Sequence, residues 1–190
     1  MAGNISEFLQ NFGEGARPSR FEVIISPFDV YGGNSLTNLR YVCENAQLPG
    51  RNFLTVDQKT YGPVQKFPYQ TDYSDVSLTF VVDEPMTVKA FFDDWMDLIN
   101  PSLNGTSRYF NMSYKENYST KITITQFDNQ NKPSYRISLI KAFPINMNQL
   151  DLDWSSEGLH KLVVTFAYDY WQTEDIPPNE IIDNTEQAPT

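Results

Sequence analysis

Few side chains in this sequence could do chemistry, and each must be weighed against its neighbours. The 190 residues contain a single histidine, His160. A Ser-His-Asp relay and the His/Glu zinc motifs both need an imidazole, so His160 is their sole candidate. It follows Gly158 and stands just before an alternating apolar run, where a turn is expected. It therefore reads as an exposed or capping side chain. Asp93, Asp94 and Asp97 could supply a carboxylate pair for acid–base work. They fall on the polar side of an amphipathic helical pattern, where charges are solvated. Asp151 and Asp153 share one side of an extended segment. Calcium needs more oxygen ligands at ordered spacing and a loop glycine, so a polar edge or lumen-facing strand is the expectation. Cys43 is the only cysteine, which rules out a disulfide within the chain and a thiolate zinc site. It reads as a small buried hydrophobe made in a reducing compartment. No glycine-rich phosphate loop and no serine elbow occur. No catalytic centre, metal site or cofactor is expected.

Composition narrows the classes further. Hydrophobic residues make up 40%, enough for a packed core in one domain of this length. Aromatics reach 14%, which favours sheets and large buried or partner-facing surfaces. The formal net charge is -10, and the basic residues are scattered. A surface that grips nucleic acid presents a basic patch to phosphates, so DNA binding is not expected. The N-terminus lacks the basic-then-apolar pattern of a secretory signal, and no apolar stretch is long enough to span a bilayer.

The elements follow from period. Asn4 and Glu7 fit a capping box, and Ile5, Phe8, Leu9 and Phe12 share one face of a short N-terminal helix. Phe21, Val23 and Ile25 alternate as a strand, then Gly32-Gly33-Asn34 turns. Leu39, Tyr41 and Cys43 read as a second strand, ended by Leu48-Pro49-Gly50. Residues 51–75, with Tyr61, Phe67 and Tyr69 among interrupting prolines, read as an extended hairpin arm or long loop, whose aromatics either contact another subunit or fold back on their own domain. Val76, Leu78, Phe80 and Val82 form a clear strand. A helix is then predicted from about 84 to 100, with Pro85 in its first turn and Pro101 as its stop. Val88, Phe91, Phe92 and Trp95 fall on its apolar face, ready to pack on a sheet. Phe110, Met112 and Tyr114 read as a weak strand. Ile122 with Ile124, and Tyr135 with Ile137 and Leu139, read as two more, joined by a turn at 128–131. Leu162 to Trp171 reads as one final strand, apolar on both faces and so covered on both. Residues 172–190 are proline-containing and acidic and read as a tail, leaving 1–171 as the folded domain. The fold class is mainly β, a β-sandwich or open barrel with one flanking helix.

Four landmarks, in order, carry a family resemblance. Ala16-Arg17-Pro18 precedes the first strand. Cys43-Glu44-Asn45-Ala46-Gln47-Leu48-Pro49 follows. Asp83-Glu84 leads into the helix with Phe92-Asp93-Asp94-Trp95. Leu150-Asp151-Leu152-Asp153-Trp154 then precedes a strand closing on Tyr168-Asp169-Tyr170-Trp171. Over residues 8–171 the chain resembles the tail-tube proteins of T-even-type contractile bacteriophages. It departs from the shorter members by 172–190 and by additions near 29–38 and 101–120. The resemblance implies a structural virion protein and no enzyme. Its subunits would form six-membered rings stacked into a hollow tube. A sheath protein would lie outside, a baseplate or initiator and a tail terminator at the ends, and DNA would pass through the lumen without specific binding. Assembly would take place in the host cytoplasm. Trp154, Tyr170 and Trp171 would lie in the core or between subunits, and Phe8, Phe12, Tyr61, Phe67 and Tyr69 would be candidate inter-ring contacts. A tube-initiator or baseplate protein of the same fold, and the ring-forming subunit of contractile secretion machines, are near alternatives. A carbohydrate-binding β-sandwich using its aromatics as a sugar platform is the alternative from another class. An acid-dependent hydrolase using Asp93 or Asp151 is a distant one.

Overall fold

Alternation decides most strands of the computed structural model, which describes residues 15–26, 39–59, 61–100, 112–155 and 157–176. The expected N-terminal helix with Phe8 and Phe12, the 32–34 turn, Pro101, Phe110 and residues 177–190 lie outside the described residues. The strands are β1 (Phe21–Ile25), β2 (Cys43–Ala46), β3 (Asn52–Gln58), β4 (Gln65–Asp72), β5 (Val76–Val81), β6 (Thr120–Phe127), β7 (Pro133–Met147), β8 (Lys161–Ala167) and β9 (Tyr170–Thr173). Between β5 and β6 lie α1 (Thr87–Ile99) and the single turn α2 (Lys115–Tyr118).

Seven strands form one antiparallel sheet in the order β1-β6-β7-β8-β5-β2, with β9 also paired to β7. β7 is long enough to serve both halves. Its first half pairs with β6 and β9, and its second half with β8. The bend between them sits at Lys141, whose φ of 54° is left-handed. The end strands β1 and β2 do not bond to each other, so the sheet is open among the described residues. An ion pair between Glu22 and Arg40 reaches across that gap.

One apolar cluster fills the interior. Val23, Ile25, Ile122, Ile124, Ile137 and Leu139 come from one half of the sheet, and Leu78, Phe80, Leu162, Val164 and Phe166 from the other. α1 closes it with Val88, Phe91, Phe92 and Trp95, all buried. Phe92 lies 5.0 Å from Phe80 and 6.1 Å from Phe166, ring to ring, which fixes the helix on β5 and β8. The Trp95 indole N–H donates to the Tyr118 carbonyl at 2.8 Å, so its buried polar atom is satisfied.

Five expectations change. The helix begins at Thr87, not near 84, because Glu84-Pro85 is a turn and Met86 takes φ 58° before it. Asp83 caps it, accepting from the Thr87 hydroxyl and from the Val88 N–H at 3.2 Å. Leu39 and Tyr41 are not in a strand, since residues 39–42 are helical. Leu39 is buried and Val42 packs on the core, a spacing of three that alternation mimicked over a short window. Met112 and Tyr114 are exposed coil before α2. The final strand is two. β8 ends at Ala167, the Asp169 N–H bonds the Ile140 carbonyl at 3.0 Å, and β9 continues on the other half of the sheet. This break lies beside the Lys141 bend of β7, because a paired strand must follow the strand it pairs with. Nor does the ordered chain stop at Trp171: β9 runs to Thr173, and Glu174 pairs with Lys121 and accepts from the Ser138 hydroxyl at 2.7 Å.

Candidate functional site

Residues 51–75 fold as a hairpin that stands apart from the barrel. β3 and β4 bond only to each other, as a separate two-stranded sheet. Pro68 is accommodated at a bulge, where Leu54 pairs with Gln70 and Thr55 with Pro68, leaving Tyr69 as the extra residue. Paired residues share a face, so Leu54, Val56 and Phe67 line one side of the arm. All three are exposed, as are Phe53 and Tyr69. The tip carries Tyr61 beside Gly62, whose φ of 123° suits a residue without a Cβ. A lone two-stranded hairpin is marginal in water, and this one has no core of its own. Its apolar face is exposed among the described residues, the kind of surface on which partners bind.

The second exposed surface is the loop between β7 and β8. Asp153 turns it, accepting from the Ser155 N–H at 3.0 Å and the Ser155 hydroxyl at 2.7 Å. The Ser155 N–H is the leading reason its carboxyl is held below the ordinary range. Asn148 pins the loop's base, donating to the Lys161 carbonyl at 3.3 Å and accepting from the Val163 N–H at 2.7 Å. The turn leaves Leu152, Trp154 and Leu159 outside, with Trp154 at 106% exposure. That exposure takes Trp154 out of the core. Tyr170 is also exposed, and Trp171 is half-buried.

The groups with chemical potential fall as follows. His160 shares an open pocket with Asp151 and Asp153, which sequence spacing had not brought together. Leu152, Trp154, Gly158 and Leu159 also line it, so among the described residues no serine or cysteine joins the imidazole in that wall. Among the described residues no group of three His, Cys, Asp or Glu side chains could hold a metal. Asp93 pairs with Lys89 at 2.7 Å on the outer side of α1. Burial pushes the Cys43 thiol up to about 12, so it carries no thiolate at neutral pH. Arg17 and Pro18 lie where the chain enters β1: the Arg17 carbonyl accepts from the Gln126 side chain at 2.7 Å. Leu48 and Pro49 lead from β2 to the arm, with Leu48 exposed. Sequence reading passed over Leu54 and Val56, although their alternation was present, because the prolines of 63 and 68 masked it.

Residues 16–174 match the family model described as phage tail tube protein. The chain belongs to that family. This makes it a structural component of a phage tail tube. Solved structures of the same fold agree in architecture. A chain of the sheath-tube complex of an extracellular contractile injection system (PVC, extended state) superposes with a TM-score of 0.59 at 16% identity, covering 92% of this chain and 100% of that one. A chain of the anti-feeding prophage baseplate, six-fold symmetrised, gives 0.58 at 14% identity, covering 85% and 97%. One from the tube-terminating cap of the same prophage gives 0.59 at 15%, covering 86% and 93%. At these identities the likeness is one of fold. A comparison with curated protein sequences gives no significant match.

Proposed function

We propose that the chain is the repeating subunit of the inner tail tube: six copies close a ring, and rings stack into the conduit through which DNA is ejected. The observation that carries this reading is the hairpin arm, an apolar face held clear of its own barrel in a member of the tube family. A second copy of the chain supplies the missing cover. Leu54, Val56, Phe67, Tyr69 and Tyr61 then make contacts between rings, as would Phe8 and Phe12. Trp154, exposed on the β7–β8 loop, belongs between subunits in the same assembly. Stacking one face on a different face does not close, so it yields a filament. Lateral contact of the open barrels also covers the free edges of β1 and β2, which would otherwise invite aggregation.

The remaining partners follow from the same reading: a contractile sheath outside, a baseplate or initiator below and a terminator above, in a virion tail assembled in the host cytoplasm. The role is non-catalytic. Six chains of net charge -10 amount to about -60 per ring. Acids facing the lumen would keep phosphates from adhering; ejection unchanged after neutralising them would end that idea. Negative-stain electron microscopy of the concentrated full chain tests the main proposal. Six-fold rings and long tubes with a channel are expected. Isolated rings that never elongate point instead to the initiator of the same fold. A subunit that stays monomeric even with an initiator present overturns the tube reading.

A further inference from the structure

Among the described residues the arm has no strand pairing with the barrel, so side-chain contacts are left to set its direction. Barrel pairing stops at Gln47, whose N–H bonds the Ser77 carbonyl at 3.2 Å. The arm joins through residues 48–51 on one leg and 73–75 on the other. Such short unpaired legs act as hinges unless they are tied. We propose that Trp171 and Tyr168 of the terminal Tyr-x-x-Trp run, with Arg51 and Tyr73 on the arm, form a latch that aims the hairpin.

Both legs are tied by these four residues. On the entering leg, the Trp171 indole N–H donates to the Gly50 carbonyl at 3.1 Å. The Arg51 guanidinium lies over the same indole, 4.6 Å from the ring centroid, within range for a cation–π contact. On the leaving leg, the Tyr168 hydroxyl donates to the Ser74 carbonyl at 2.8 Å. Arg51 also reaches the Tyr73 ring at 6.0 Å, and Tyr73 lies 6.1 Å from Tyr168, ring to ring. The four side chains thus form a run of neighbouring contacts from one leg to the other. Tyr168 remains a donor through any ordinary pH, since burial, with help from Asp75, pushes its hydroxyl up to about 12. The break between β8 and β9 is Tyr168 and Asp169, so Tyr168 in the break holds one leg and Trp171, just inside β9, holds the other. All four are positioning residues; none contacts another subunit by this account.

The latch is a property of the single chain, while its use in assembly rests on the tube reading. Two measurements on the full-length protein separate the two. Spin labels are placed at Lys59→Cys near the arm tip and Lys132→Cys on the barrel, in a Cys43→Ala background, and the inter-label distance is measured by pulsed electron resonance. The unaltered latch gives one narrow distance. Arg51→Ala combined with Tyr168→Phe and Trp171→Phe, which together remove the ties of both legs, loses that peak and gives a broad distribution. Arg51→Lys, which keeps a cation over the rings, retains it. Arg51 is exposed, Tyr168→Phe removes one oxygen and Trp171→Phe keeps an aromatic ring at a half-buried position, so the barrel stays folded, and a cooperative thermal transition checks this. A narrow peak that survives in the triple variant overturns the latch, whatever the tubes do. A broad peak with tube assembly at the unaltered critical concentration keeps the latch but overturns arm aiming as a requirement for stacking.

Discussion

Replacing Phe67 by serine should uncouple assembly from folding. In the single chain Phe67 is 45% exposed and stands opposite its cross-strand partner Val56 on the apolar side of the arm. An aromatic side chain has about 150–250 Å² to bury, so docking covers roughly 90 Å² more of it. At about 25 cal/mol per Å², that contributes about 2 kcal/mol per arm to ring stacking. Since each 1.4 kcal/mol is about tenfold in an equilibrium constant, the critical concentration for tube formation should rise about 30-fold. The isolated subunit loses almost nothing, because Phe67 is no part of the core. Sedimentation of tubes over a concentration series measures the first quantity, and thermal unfolding of the dilute subunit the second. Lys66→Ser, one residue away on the opposite face, serves as the control and should shift assembly by less than about threefold, as exposed charges contribute little. If Phe67→Ser polymerises at the unaltered concentration while folded, the apolar side of the arm is not the stacking surface.

Three further outcomes follow from the barrel itself. Phe92→Ala should destabilise the subunit by about 3–5 kcal/mol, because the ring is fully buried against Phe80, Phe91, Trp95 and Phe166; a urea midpoint close to the parent's would contradict the packing described. Asp83→Ala should cost about 1 kcal/mol through loss of the α1 cap. The Thr87 hydroxyl is the leading cause that holds the Asp83 carboxyl below its ordinary 3.8, so its contribution is complete above that pH and fades as pH falls through the lower folded value; Asp83→Asn should flatten this part of an acid-unfolding series. Cys43 should react with an aromatic disulfide reagent at pH 8 on the order of a thousandfold more slowly in the folded subunit than in urea, given a thiol pushed up to about 12; equal rates would place it at the surface.

Local period carried much of the fold. Val23 and Ile25, Leu78 and Phe80, Ile122 and Ile124, and Leu162 to Phe166 are buried on the faces that alternation assigns them. The apolar stripe of Val88, Phe91, Phe92 and Trp95 sits where helical spacing puts it. These signals are local because a strand or helix repeats its inward face every two or every three to four residues. Period misled where the window was short, as at 39–42, where Leu39 and Val42 answer to a helix.

The candidate site was legible only in outline. The aromatics of 51–75 marked an arm, but which of them share a face depends on register, and the bulge at Pro68 shifts that register by one residue. The exposure of Trp154 could not be read from its type, since tryptophan is equally at home in a core. Residues alone determined a single β-rich fold with an amphipathic helix, a proline-marked projection and little apparatus for catalysis. Tertiary structure decided how β7 bends at Lys141 to serve both halves of the sheet, and why the last strand breaks beside it. It also brought Trp171 onto Gly50 across 121 positions of sequence. Contacts at that separation leave no periodic trace, because they are set by where whole strands pack and not by the repeat within any one of them.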